Sequence, residues 1–333
     1  MERKLATVQK IIEIGNIPNA DRIQVATINA WKTVIRKDEY KVGELCVFCE
    51  VDSIIPFAPW SDFLKDKKNP EKPIRLKTCR LRGQLSQGLV LPLSILPPNA
   101  YNIGDDVTEA LGIVKYELPV PTCLAGQVKR QFPTHLVPKT DELRVQSFPD
   151  IVNEFKGKDV YITVKCDGTS GTVIHKDGEF DICSRNLSFK ESDNVYWEMF
   201  KKYNFENILK KVGNYACQFE CCGEGIQKNR LGLKGHEIFV FNVYDINNHK
   251  YLDYKDFVSF CKEHNLPTVP VIEECTFDFT IDQLLEKAKG KYTSGKFREG
   301  IVIRPVVEGN SEVLSGRASF KVINNDYLEK DEE

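Results

Sequence analysis

Between residues 97 and 138 the chain carries six prolines: Pro97, Pro98, Pro119, Pro121, Pro133 and Pro138. Proline has no backbone N–H for a sheet ladder and breaks a helix interior. No single regular element can run through this stretch, so the chain divides there. The linker is placed at residues 101–135, with one domain over 1–100 and another over 136–333. A length of 333 residues agrees with two domains at about 150 residues each.

The two parts read differently. In the first, Leu5–Ile14, Ile23–Ile28, Glu44–Val51 and Leu89–Leu93 are short β-branched and aromatic runs. The polar turn residues Asn16–Asp21 separate the first two. Such strands fit a small barrel of the OB type, which binds nucleic acid on one face. In the second, Val160–Lys165 alternates as a strand, and Asp177-Gly178 is a hairpin turn between Gly171–His175 and Phe180–Arg185. Val195, Met199, Phe200 and Tyr203 have helical spacing, as do the apolar residues near 257–261 and 284–288. Phe239, Phe241 and Val243 alternate, and Ile301–Arg304 and Phe320–Ile323 are late strands. The class is α+β.

Charge is unevenly placed. Residues 1–130 hold 19 Lys/Arg against 15 Asp/Glu, and the remainder 27 against 33. Lys65–Arg82 is the basic stripe, with eight cations and two acids. A stripe of this kind suits a phosphate backbone, with Lys77, Arg80 and Arg82 as candidate nucleic-acid contacts; as a charge run alone it suits a solvated loop better. No run approaches the roughly 18–20 apolar residues of a membrane span, and MERKLATVQK lacks the apolar core of a signal peptide. Eleven cysteines then point to free thiols in a reducing intracellular compartment, cytoplasm or nucleus. Cys46 and Cys49 form a CxxC inside a strand-like run, where alternation sends the two thiols to opposite faces.

The chemistry concentrates in Lys165-Cys166-Asp167-Gly168-Thr169-Ser170. Lys165 ends a strand whose other face is apolar, so it is fixed on a rigid element and points into a cleft. Gly168 permits a tight turn and close approach by a ligand. A lysine is nucleophilic only when neutral, which burial or a nearby cation promotes.

This segment resembles the nucleotidyl-transfer motif of covalent nucleotidyltransferases: ATP-dependent DNA and RNA ligases and capping enzymes. Further matches follow in the family's order: Arg185 across the hairpin, Glu220 in Gln218-Phe219-Glu220, Phe239-Val240-Phe241, Glu299-Gly300-Ile301-Val302-Ile303-Arg304-Pro305 and Ser319-Phe320-Lys321-Val322. Gly223-Glu224-Gly225-Ile226-Gln227-Lys228 is similar to RNA ligase 2-like enzymes, and Pro138–Gln146 to the lead-in of the Naegleria–Deinococcus type of RNA ligase. The sequence departs in two places. Ser319 stands where phage-type relatives often carry a second lysine, and Asn242 where relatives often have aspartate.

The resemblance covers nearly the whole chain. It implies an N-terminal OB-fold β-barrel followed by an ATP-grasp-like ligase adenylation domain of antiparallel sheets flanked by helices. It implies ATP as cofactor, with AMP held covalently on Lys165, then AMP transfer to an RNA 5′-phosphate and attack by a 3′-OH, at nicks in duplex RNA. Val164 would offer its carbonyl to adenine, Phe241 would stack on it, and Glu220 would contact the ribose. Arg144, Arg185, Arg304 and Lys321 would meet phosphates, and Glu299 would lie near the α-phosphate. Asp167, Glu220 and Glu299 supply the hard oxygens that Mg²⁺ or Mn²⁺ prefers. The pattern Glu299, Ile301, Ile303 puts Arg304 on the opposite parity, so Arg304 needs a bend at Pro305 to share Glu299's cleft. Nothing in the sequence calls for a membrane or an obligate protein partner. A DNA ligase or capping guanylyltransferase would place its OB domain last, and a dead RNA-binding module would not keep Lys165, Glu220, Glu299 and Lys321 together.

Overall fold

The computed structural model describes residues 3–117, 124 and 126–330. Pro119 and Pro121 lie outside the described residues. The chain forms two compact units, Met1–Pro119 with Gln146–Pro149, and Val120–Val145 with Asp150–Glu333.

The first unit is built on a five-stranded sheet in the order Trp31–Arg36, Ile23–Ile28, Ala6–Asn16, Leu45–Cys49, Leu89–Pro92, all neighbours antiparallel. Both faces carry a core. Ile11, Ile28, Trp31, Cys46 and Phe48 pack on one side; Leu5, Val8, Val47, Cys49 and Leu91 pack on the other. Cys46 and Cys49 therefore sit in different clusters, as strand alternation requires. Burial pushes both thiols up to about 12, so they are inert apolar filler. Residues 101–117, placed in the linker by the prolines around them, instead contribute Val107, Leu111 and Ile113 to the core. The prolines mark where regular strands stop, while the apolar residues between them decide burial. The short segment Gln146–Ser147 returns to this unit, where Ala30 N donates to Gln146 O at 3.1 Å and Ser147 Oγ donates to Glu50.

The basic stripe is not uniform. Lys65 pairs with Asp62 at 2.7 Å, and Arg75 pairs with Asp52 at 2.8 Å and lies over the Tyr116 ring. Lys77, Arg80 and Arg82 are exposed. Arg80 and Arg82 stand on a hairpin, Cys79–Leu81 with Gln84–Ser86, whose turn residues Arg82 and Gly83 both have positive φ. Its base is rooted: Val34 N donates to Ser86 Oγ, and Gln87 N to Lys32 O.

The second unit has two sheets. A seven-stranded antiparallel sheet runs Val128–Gln131, Leu187–Phe189, Glu179–Ser184, Thr169–Lys176, Tyr215–Gly223, His236–Asp245, Lys250–Tyr251. A five-stranded sheet runs Leu143–Arg144, Phe320–Ile323, Gly300–Pro305, Asp159–Lys165, Val271–Thr276. The helices Val195–Lys202, Phe205–Val212 and Tyr254–Glu263 lend apolar residues to the large core with the seven-stranded sheet. Asn194 caps the first of these, and a Thr280/Gln283 capping box starts the helix Ile281–Ala288. Asp177-Gly178 makes the expected tight turn, with φ of 51° and 87°. The strand Asp159–Lys165 is covered on both faces, since Tyr161 belongs to the large core and stacks on Tyr254 at 4.2 Å. Lys165 shares that face by alternation, which turns it toward the seven-stranded sheet. Among the described residues, no helix is long and apolar enough to cross a membrane.

Candidate active site

Lys165 closes its strand opposite Gly300, and Gly300 pairs with Ile323 on its other side. A Cβ on Gly300 would lie 2.2 Å from Val322 O, so only glycine lets the three strands close at this point. Glu299 immediately precedes the strand, so strand alternation does not govern its direction. Its Oε2 accepts from Lys165 Nζ at 2.7 Å. Tyr292 sets this geometry from the Gly290–Gly295 loop: its hydroxyl donates to Lys165 O at 2.8 Å and accepts from Glu299 N at 3.2 Å. No motif or periodicity marks Tyr292 in the sequence.

Gly168 is required for a different approach from the one its turn suggested. A Cβ there would lie 2.3 Å from Cys221 O and 2.7 Å from Cys222 Sγ, so the motif loop presses against the strand Tyr215–Gly223. Asp167 is buried, and both its oxygens are engaged: Oδ2 accepts from Arg230 Nη1, and Oδ1 accepts from Tyr327 Oη at 3.0 Å. Gln227 Nε2 donates to Gly168 O at 3.1 Å. The stretch after Gly223 thus clamps the nucleophile's loop, and Arg230 and Tyr327 are functional residues that sequence reasoning did not single out.

Glu220 lies mid-strand opposite Ser170 and Phe239. Burial pushes it up to about 8 against the pull of Lys165, with the carboxylates of Glu299 and Asp167 adding to the rise. For Lys165, burial opposes the charged form, but Glu299 and Glu220 outweigh it and hold the ammonium above its ordinary value. Among the described residues no three His, Cys, Asp or Glu side chains form a ready metal cage. Mg²⁺ and Mn²⁺ sites for phosphoryl chemistry commonly use one or two carboxylates plus phosphate and water. A buried Glu220 with the Glu299 carboxylate acting on it fits such a cation at Glu220 and Glu299.

Beside the lysine lies an apolar cluster. Cys166, Cys222 and Val269 are buried together, with Val164, Phe239 and Phe241 packed against them. Both phenylalanines of the aromatic motif join this cluster. Val164 N donates to Pro270 O at 2.9 Å, and its carbonyl points to the same edge.

The cations separate into two groups. Arg304 is buried, pairs with Tyr161 in register, and so shares the face of Lys165 without any bend at Pro305. Its Nη2 donates to Glu142 at 2.6 Å and its Nε to Ser319 Oγ at 3.1 Å. Ser319 thus completes a buried network in which Arg304 holds Glu142 down to about 2 against the opposing effect of burial. Arg185 and Lys321 instead meet at Asp141, Lys321 at 3.2 Å. Arg144 is buried on the strand that pairs with Lys321. Asn242 fills a place only an amide can: its Nδ2 donates to Gln218 Oε1 and its Oδ1 accepts from Arg317, both at 2.9 Å.

Comparisons with known proteins agree with this layout. An OB-fold domain profile matches residues 5–93, and an RNA ligase profile matches residues 158–323. A Naegleria gruberi RNA ligase variant with ATP and Mn is 36% identical, covering 99% of this chain and 98% of its own, at a TM-score of 0.89. The chain belongs to the RNA ligase family. The same Naegleria ligase with PPi is 37% identical over 99% of both chains, and a variant with AMP and Mn is 36% identical over 98% and 99%, each at TM-score 0.89. No curated protein sequence matches this ligase. Its architecture is that of the Naegleria enzyme: an OB fold, then a ligase domain of antiparallel sheets.

Proposed function

We propose that this RNA ligase uses ATP to seal 3′-OH and 5′-phosphate RNA ends at nicks in duplex RNA, in RNA repair, through lysyl-AMP at Lys165 and an RNA-adenylate. The observation that carries the reading is Lys165 Nζ held 2.7 Å from Glu299 beside an apolar cluster fit for a purine. The Naegleria structures with ATP, AMP and Mn support the same cofactors here. Phe241, Phe239 and the Val164 carbonyl take the adenine, and Glu220 takes the ribose. Lys165 must lose a proton before attack on the α-phosphate, which requires the ion pair with Glu299 that stabilises its ammonium to open. A divalent cation at Glu220 and Glu299 would supply charge against the phosphate and lower the lysine's pKa. Arg185, Lys321 and Arg144 oppose the phosphate charge that builds in transfer. Arg304 and Asp167 serve from behind, Arg304 through Glu142 and Asp167 by anchoring the motif loop. Lys77, Arg80 and Arg82 track RNA phosphates.

Sealing of a matched set of nicks, with RNA or DNA on each side, tests the reading. The expected result is sealing where the 3′-OH strand is RNA, with AMP rather than GMP on the protein. Sealing of all-DNA nicks alone, or labelling by GTP, would show a DNA ligase or a capping enzyme instead.

A further inference from the structure

The segment Pro138–Glu142 is tied residue by residue to the strands and turns of the site. Gln218 Nε2 donates to Pro138 O at 2.9 Å, Lys139 Nζ donates to Asn186 Oδ1 at 3.0 Å, and Thr140 Oγ1 lies 3.1 Å from Ser170 Oγ. The first tie is backed by Asn242, which orients Gln218. The segment's two carboxylates do different work. Glu142 is committed to Arg304, whose side chain is only 3% exposed against 15% for Glu142. Asp141 holds one cation on each oxygen: Arg185 Nη2 on Oδ2 and Lys321 Nζ on Oδ1. Arg185 follows the strand Glu179–Ser184 of the seven-stranded sheet, and Lys321 lies in the five-stranded sheet, so this carboxylate bridges cations from both. The cluster opens on the Arg185 side, with Arg185 40% and Asp141 31% exposed against 15% for Lys321.

A carboxylate gripped by a guanidinium on one oxygen and an ammonium on the other resembles two non-bridging phosphate oxygens in charge and hydrogen-bond demand. We propose that Asp141 is a positioning residue that holds Arg185 and Lys321 in the place of a nucleotide phosphate and yields them to the phosphate when it arrives. The proposal rests on the ligase reading above. It deepens that reading by making phosphate binding a competition against a built-in anion. The two cations stay ordered between turnovers, and the returning carboxylate favours departure of pyrophosphate.

The test is inorganic pyrophosphate binding to the full-length protein, followed by calorimetry, with inhibition of adenylation measured in parallel. Asp141→Asn removes the competitor's charge and keeps its shape. It should bind pyrophosphate about 3- to 10-fold more tightly, the span expected for one screened unit charge beside the site. The KM for ATP should fall in step, and Asp141→Glu should return both toward wild type. Thr140→Val loosens the same segment without changing charge and should leave pyrophosphate affinity as it is. Unchanged or weaker pyrophosphate binding in a folded Asp141→Asn protein overturns the proposal. Equal tightening in Thr140→Val also overturns it, because the effect would then come from a loosened segment. If the Asn variant does not fold, Asp141→Glu decides: affinity within twofold of wild type supports competition by a carboxylate, and a large change in either direction refutes it. Wild-type protein that takes no label from ATP would sink the ligase reading itself, whereas normal wild-type labelling beside these failures sinks only the role of Asp141.

Discussion

Tyr292→Phe removes one oxygen atom and no charge, yet that oxygen joins the backbones of the nucleophile and of its carboxylate partner. Two hydrogen bonds are lost, to Lys165 O at 2.8 Å and from Glu299 N at 3.2 Å. Each such bond contributes about 0.5–1.5 kcal/mol net, so the pair is worth about 1–3 kcal/mol. If the loss falls on alignment in the adenylation transition state, the rate drops between about 5- and 150-fold. The aromatic ring remains to fill its place, so the melting temperature should fall by only a few degrees. The assay is single-turnover labelling of the protein by radioactive ATP, read on a denaturing gel, beside sealing of pre-adenylated RNA. Adenylation should suffer more than sealing, because the lysine is the nucleophile only in the first step. A Phe variant that labels at the wild-type rate would refute the argument that the hydroxyl sets the Lys165–Glu299 geometry.

Arg230→Met leaves Asp167 buried without its cation, which should destabilise the second unit by about 3–5 kcal/mol in urea unfolding. In nucleotide-free protein, Glu220 with its pKa pushed up to about 8 holds its proton more tightly folded than unfolded. Its stabilising contribution is complete below the ordinary value of 4.5 and is lost as pH rises through about 8, so melting temperature should fall over that window. Glu220→Gln should abolish that part of the decline; Lys165, raised from 10.5, loses its contribution only above the window. Arg80→Ala with Arg82→Ala should flatten the salt dependence of nick binding by about 0.7–0.9 log units per lost phosphate contact while leaving adenylation intact. Nick affinity unchanged at every salt concentration would rule out the hairpin as an RNA contact.

Local order was legible wherever short-range rules apply. Alternation put Lys165 on an inward face of its strand and separated Cys46 from Cys49, and the Asp-Gly pair marked the turn at 177–178, because each depends only on neighbours in the chain. The resemblance located Lys165, Glu220, Glu299 and Lys321, but not what holds them. Tyr292, Arg230, Tyr327 and Asp141 touch the motif residues across long sequence separations, and no spacing encodes those contacts. Alternation misjudged Arg304 because it took Glu299 as part of the strand, which starts at Gly300. The basic stripe looked continuous because its neutralising partners Asp52 and Asp62 lie outside it in sequence.

The central claim is that Lys165 carries the nucleotide. Peptide mapping by mass spectrometry, after incubation with ATP and Mn²⁺, measures this directly. The account predicts one AMP adduct, on the peptide that contains Lys165, and none in Lys165→Ala or Lys165→Arg protein, since arginine cannot be deprotonated near neutral pH. An adduct on any other residue, or AMP still attached to the Lys165→Ala protein, would contradict it.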